Sequence, residues 1–117
     1  KPDDFFKRYV DVKVLAFMRG RTLARSVAIL DEAQNCTLKQ FDLFLGRLGR
    51  HGKLVVSGDD EQCDLARASQ FERVARALAG MEEPGEAGAT HKVGRVHLVE
   101  QCRHPLVRRM AQRMRSL

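Results

Sequence analysis

Four consecutive apolar residues, Val27-Ala-Ile-Leu30, run straight into the carboxylates Asp31 and Glu32, and no other feature restricts the fold of this chain as much. A strand that is apolar at every position, instead of every second one, is covered on both faces, which is the state of strands in parallel sheets. Parallel neighbours need a long crossover between them, and the next segment has the pattern of a helix. Thr37 is an N-cap residue with Gln40 three positions on, the spacing of a capping box. Leu38, Phe41, Phe44, Leu45 and Leu48 recur at three- and four-residue spacing, and Gly49 is placed to end the helix. A second apolar strand, residues 54–57, follows.

Ligands of open α/β sheets bind beyond the carboxyl ends of the strands, so the polar groups at these two tips carry the functional expectation. The run Asp31-Glu32 has the layout of a Walker B element. Asp31 is expected to hold Mg²⁺, through water, and Glu32 to orient and deprotonate an attacking water. The ordinary alternative is a strand followed by an acidic helix cap. Gln34 is placed to relay nucleotide state to the loop 35–37, and a role in starting the helix is equally open. At the second tip, Ser57-Gly58-Asp59-Asp60-Glu61-Gln62, glycine lets the backbone turn close to a ligand. Asp59 can accept from a water or a metal-bound group, while the Gln62 amide can donate to a γ-phosphate oxygen and accept from the nucleophilic water. A polar turn after a strand is the alternative there. Two such tips in one parallel sheet converge on one site.

The 117 residues suffice for one domain with a modest core, and 44% hydrophobic with 31% charged residues is ordinary soluble composition. No stretch approaches the roughly 18 to 20 apolar residues of a membrane span, and the first residues lack the pattern of a secretory leader; a cytoplasmic location is expected. Cys36, Cys63 and Cys102 are odd in number and have no C-x-x-C spacing, which argues against a disulfide framework or a zinc site. They are expected to be reduced thiols near loop ends. His51, His91, His97 and His104 form no ligand spacing and read as surface or structural residues. The formal charge of +6 is uneven, because Arg103, Arg108, Arg109, Arg113 and Arg115 lie in a final segment with no acid. Arg19, Arg21 and Arg25 form a second cluster. Solvated surface is the common reading of such clusters, and contact with a phosphate backbone is the functional one.

Around these elements the patterning predicts a short helix over 3–9, a strand over 12–15 and a loop with a helical turn over 19–25. A loop is expected over 58–68, then a helix over 70–79 with Phe71, Val74, Ala75 and Leu78 inward. Gly80, Pro84, Gly85, Glu86 and Gly88 mark 80–90 as a flexible surface loop. A last strand over 95–99 precedes a helix opened by Pro105, with Val107, Met110, Ala111 and Met114 inward. Alternating strands and helices predict an α/β fold with a parallel sheet.

In sequence, Val27 to Asn35, Val55 to Leu65, the upstream Leu15-Ala-Phe-Met-Arg-Gly-Arg-Thr-Leu23 and the downstream Arg103-His-Pro-Leu-Val107 resemble successive motifs of the PhoH-like P-loop ATPases, a family related to superfamily 1 helicases. The resemblance covers most of the chain. It implies a three-layer RecA-like core, ATP as ligand with Mg²⁺, and ATP hydrolysis coupled to RNA unwinding or processing. It also implies a role for Arg103 against the γ-phosphate, where a guanidinium suits the charge on the transferring group; pairing with Glu100 is an equally available role. Helicase-like relatives place nucleic-acid contacts in inter-strand loops, which nominates Arg19 and Arg21, with Arg108 and Arg109 on the last helix, for RNA or single-stranded DNA. Six Phe, one Tyr and no Trp supply little for base stacking. One departure matters: the family's Gly-x-x-x-x-Gly-Lys-Thr phosphate loop does not occur in these 117 residues. The whole chain, 1–117, is therefore expected to be the C-terminal portion of a larger ATPase domain, a fragment or the product of a split gene, completed by a Walker A half or by homo-oligomeric neighbours. A non-catalytic module binding nucleic acid or a partner protein is the alternative.

Overall fold

The computed structural model describes residues 2–62, 70–98, 105–114 and 116. Helix α1 (Pro2–Tyr9) and a 3-10 turn (Leu15–Phe17) precede strand β1 (Val27–Leu30), a 3-10 turn (Ala33–Asn35), helix α2 (Leu38–Leu45) and strand β2 (Lys53–Val56). A 3-10 turn (Asp60–Gln62), helix α3 (Phe71–Leu78), strands β3 (Glu82–Pro84) and β4 (Thr90–Lys92), and helix α4 (Pro105–Met114) complete the described elements.

β1 and β2 pair in parallel, Val27 opposite Lys53 and Leu30 opposite Val56, with α2 as their crossover. The fold is α/β with a small parallel sheet, the architecture of an incomplete RecA-like core. Successive side chains of a strand point to opposite faces, and only one face of this sheet is packed. Leu30 and Val56 lie against a core of Ala33, Cys36 and Phe41, joined by Leu15, Phe71 and Val74. On the other face Val27 and Ile29 are 64% and 67% exposed and Val55 is 45% exposed. The expected cover on both sides is thus present on one side among the described residues.

The capping box forms as the spacing predicts: Thr37 accepts from the Gln40 amide, and Gln40 Oε1 accepts from the Thr37 amide at 2.8 Å. Phe41 and Phe44, one helical turn along, are each 2% exposed. The helix stops earlier than expected, at Leu45, with the Gly46 amide bonded to Asp42 O at 3.0 Å. Residues 47–52 are drawn away to the segment before β1: Leu23 N donates to Arg47 O at 2.7 Å, and Gly49 N donates to Leu23 O at 3.0 Å. Leu48 leaves the helical face to bridge Leu23. Gly49 is needed for this approach, since a Cβ there would lie 2.5 Å from Thr22 Cγ2.

Other expectations are corrected. No strand forms over 12–15; Val12 and Val14 are exposed, and Phe17 N and Met18 N instead close a 3-10 turn that buries Met18. The segment read as a loop over 80–90 carries β3, which pairs antiparallel with β4, Glu82 opposite Lys92. Residues 95–98 form no strand, and Val96 and Leu98 are exposed; Arg95 instead pairs with Glu72 of α3 at 2.7 Å. Val107, Met110 and Met114 of α4 are exposed instead of inward, while Phe71, Val74, Ala75 and Leu78 of α3 are half-buried as their spacing predicts. Cys36 is a free thiol in the short connection before α2, as expected, and it is buried in the core, which raises its pKa. Cys63 and Cys102 lie outside the described residues. No helix of the described residues is long and apolar enough to cross a membrane.

Candidate functional site

The parallel register places the residues after Leu30 and Val56 side by side, and the polar groups of both tips are joined there. Ser57 N donates to Leu30 O and Ala33 N to Ser57 O, each at 2.9 Å. The ladder therefore continues one step past the strands and aligns Asp31 with Ser57. The Ser57 hydroxyl donates to Asp31 Oδ1 at 2.5 Å, and the Glu32 amide donates to the same oxygen at 3.0 Å. The Ser57 hydroxyl first, and the Glu32 amide second, lower the pKa of Asp31 below the usual carboxylate range, because both favour the charged form.

Glu32 occupies the left-handed region, φ 52° and ψ 38°, a conformation that non-glycine residues adopt rarely and at a cost. Its Oε2 accepts from Gln34 Nε2 at 2.6 Å. Gln34 is fully buried at 0% exposure, and its Oε1 accepts from the Asp59 amide at 3.0 Å. Its carboxamide thereby spans from the first tip to the second. Buried polar groups persist where they are hydrogen-bonded, and both ends of this one are. Gly58 leaves room for it: a Cβ at 58 would stand 2.9 Å from Gln34 Oε1 and 3.0 Å from Gln34 N. Past the glycine, Asp59 Oδ2 accepts from Gln62 Nε2 at 2.5 Å, and Gln62 N donates to Asp59 O at 3.0 Å, closing the 3-10 turn.

Five of the sequence-predicted residues, Asp31, Glu32, Gln34, Asp59 and Gln62, thus gather at one end of the sheet. The Gln34 side chain bonds to Glu32 Oε2 and to the Asp59 amide. Ser57 was not singled out by composition or motif. The signal for it was pairing geometry, because a parallel partner of equal length puts the residue after Val56 next to Asp31. Arg103 lies outside the described residues.

Arg21 and Arg25 do not join this cluster. Arg25 N donates to Arg50 O at 3.0 Å, and Arg21 O accepts from Arg47 Nη1 at 3.5 Å, which places both at the amino-terminal edge of β1 and β2. The length of a four-residue strand, about 13 Å at the usual rise, separates that edge from Asp31. Arg19 and Arg109 are exposed, and Arg108 lies within α4.

The donor set at the tips fits a hard cation held through water. Asp31 is an exposed, readily ionised carboxylate, and among the described residues no three His, Cys, Asp or Glu side chains group to enclose a metal. Magnesium in nucleotide sites needs one or two carboxylates, with waters and substrate phosphates filling the rest of its shell.

A family model described as PhoH-like protein matches residues 3–115. Among curated relatives, a PhoH-like protein of Bacillus subtilis (strain 168) is 36% identical over 103 residues, 88% of this chain and 31% of the relative. A PhoH-like protein of Synechocystis is 37% identical over 111 residues, 95% of the chain and 32% of the relative. Protein PhoH of Escherichia coli (strain K12) is 52% identical over 58 residues, half of the chain and 16% of the relative. The chain therefore spans about a third or less of the length of these relatives. No solved structure matches it.

Proposed function

The chain belongs to the PhoH-like family, and from that membership we propose that its two strand tips form the metal-holding and water-activating side of a magnesium–ATP site. Family membership supports a P-loop ATPase-type function, and the phosphate cradle of such a site is not among these 117 residues. In this reading the cradle comes from a Walker A segment outside them. The observation that carries it is the joining of Asp31, Glu32, Asp59 and Gln62 at the carboxyl ends of two parallel strands, where open α/β sheets bind ligands.

Bound Mg²⁺–ATP supplies the electrophilic phosphorus and the charge that polarises it. Asp31, kept ionised by Ser57 and the Glu32 amide, would hold the Mg²⁺ through water. Glu32 takes the proton of the attacking water as the water oxygen bonds to the γ-phosphorus and the bond to the β–γ bridging oxygen breaks, its electron pair leaving with ADP. Gln62, held by Asp59, reads the γ-phosphate and steadies the nucleophile. Arg103 supplies positive charge to the equatorial oxygens.

Mixing the chain with a separately expressed phosphate-loop segment of a family member tests this directly. ATPase activity should appear in the mixture and fall about 10²- to 10⁴-fold with Glu32→Gln, the usual worth of a general base. An inactive mixture, or a Glu32→Gln mixture with unchanged turnover, overturns the assignment.

The basic edge favours a second reading, a module that binds RNA or single-stranded DNA without catalysis. Arg21 and Arg25 are fastened beside Arg47 and Arg50 by backbone contacts, on the opposite edge from the acidic tips, so a phosphate backbone held there would not meet those carboxylates. Affinity for single-stranded RNA that falls steeply with salt, survives Asp31→Ala, and collapses on replacing Arg21 with Arg25, or Arg108 with Arg109, would establish this reading.

A further inference from the structure

We propose that Gln34 is a positioning residue that couples the orientation of the Glu32 carboxylate to the loop 58–62; its consequence for hydrolysis rests on the reading above, while the coupling itself does not. The hydrogen bonds run without a gap from one tip to the other. Gln62 Nε2 donates to Asp59 Oδ2, the Asp59 amide donates to Gln34 Oε1, and Gln34 Nε2 donates to Glu32 Oε2.

Three observations set this apart from an ordinary packed amide. Gln34 is 0% exposed, so water does not reach it to replace a partner that it loses, and losing one costs the desolvation of a buried polar group. Its two ends hold elements that are 25 residues apart in sequence at one end and 2 apart at the other. Glu32, finally, has a left-handed backbone, which removes it from the regular path of β1 and leaves its side chain to be aimed by the partner it meets. A shift of Gly58 or Asp59 therefore moves Oε1 of Gln34, and because a carboxamide is planar and rigid, Nε2 moves with it and re-aims Glu32. Loop and carboxylate respond together. A γ-phosphate that engages Gln62 would, through Asp59, set the group that activates water.

Amide exchange and nitrogen shifts measured by NMR on the intact 117-residue chain, without nucleotide, test the coupling. Glu32→Ala removes the acceptor of Gln34 Nε2 from an exposed position and leaves the buried seat untouched. Exchange of the Asp59 amide should rise roughly tenfold, the usual worth of one hydrogen bond to a charged or buried group, and the Gln34 side-chain NH₂ resonances should shift. Glu32→Gln retains an acceptor oxygen and should leave Asp59 protected. Amides of Leu54 and Val55 report that the sheet is intact in both variants. An Asp59 amide indifferent to Glu32→Ala, or equally affected by Glu32→Ala and Glu32→Gln, overturns the proposal. The Glu32→Gln variant also separates the two readings, because it preserves this coupling and lowers turnover in the complemented ATPase about 10²- to 10⁴-fold if both hold.

Discussion

Ser57 donates its hydroxyl to Oδ1 of Asp31 across 2.5 Å, from the end of β2 to the end of β1. The contact joins residues 26 positions apart in sequence, and it exists because the two strands pair in register to their last residues. Its effect is chemical. A carboxylate with one oxygen held by a hydroxyl and a backbone amide remains ionised further into acid than a free one.

Ser57→Ala should raise the pKa of Asp31 toward its ordinary value, read as the carboxyl carbon shift of Asp31 against pH. Because the folded state lowers this pKa, the contribution to stability is fully present above the unfolded value and is lost as pH falls through the folded one. The difference in unfolding free energy between wild type and Ser57→Ala should therefore be present at neutral pH and vanish in acid below the usual carboxylate range. A difference that grows in acid would contradict the assignment.

Gln34→Leu should destabilise the fold by about 1 to 3 kcal/mol, the cost of removing the hydrogen bonds of a buried polar side chain, here those to the Asp59 amide and Glu32. Urea unfolding followed by circular dichroism measures it. The control is Gln62→Ala, whose side chain is exposed, and which should shift the midpoint by less.

Helix α2 separates packing from capping. Phe41→Ala, at a side chain 2% exposed, should cost about 3 to 5 kcal/mol, enough to unfold a domain with so small a core, while Thr37→Ala should cost about 1 kcal/mol through loss of the cap. Thermal unfolding of the two variants should rank them in that order. A Thr37→Ala variant as damaging as Phe41→Ala would mean that α2 is held by its first turn and not by its buried face.

The open sheet face gives a prediction about association. Val27→Thr with Ile29→Thr replaces side chains 64% and 67% exposed by equally β-branched ones, so the unfolding midpoint should hardly change. Exposed apolar surface on this scale drives association, and sedimentation velocity at rising concentration should show less self-association in the double variant than in wild type.

The two parallel strands, the crossover helix and the acidic tips were legible in the sequence, because each depends on local chemistry. An unbroken apolar run belongs in a sheet whatever surrounds it, Thr37 and Gln40 satisfy each other within one helical turn, and the spacing of Phe41 and Phe44 defines a buried face by itself. Asp31, Glu32, Asp59 and Gln62 could be nominated because each lies next to a strand that could be seen. Where a segment's state depended on a partner, the reading changed. Residues 12–15 have strand-like alternation and no strand to pair with among the described residues, whereas 82–84 and 90–92, rich in turn and charged residues, pair with each other.

What tertiary structure alone decided is the wiring of the site. Sequence names Gln34 and Ser57 as polar residues near strand ends, and nothing local to either says what it will meet. Register places Ser57 against Asp31, the bare backbone of Gly58 makes room for a buried carboxamide, and the stitching of the 21–25 and 47–52 segments carries Arg21 and Arg25 to the far edge of the sheet. Hydrogen-bond partners distant in sequence are chosen by which elements pack side by side, and that choice belongs to the assembled chain.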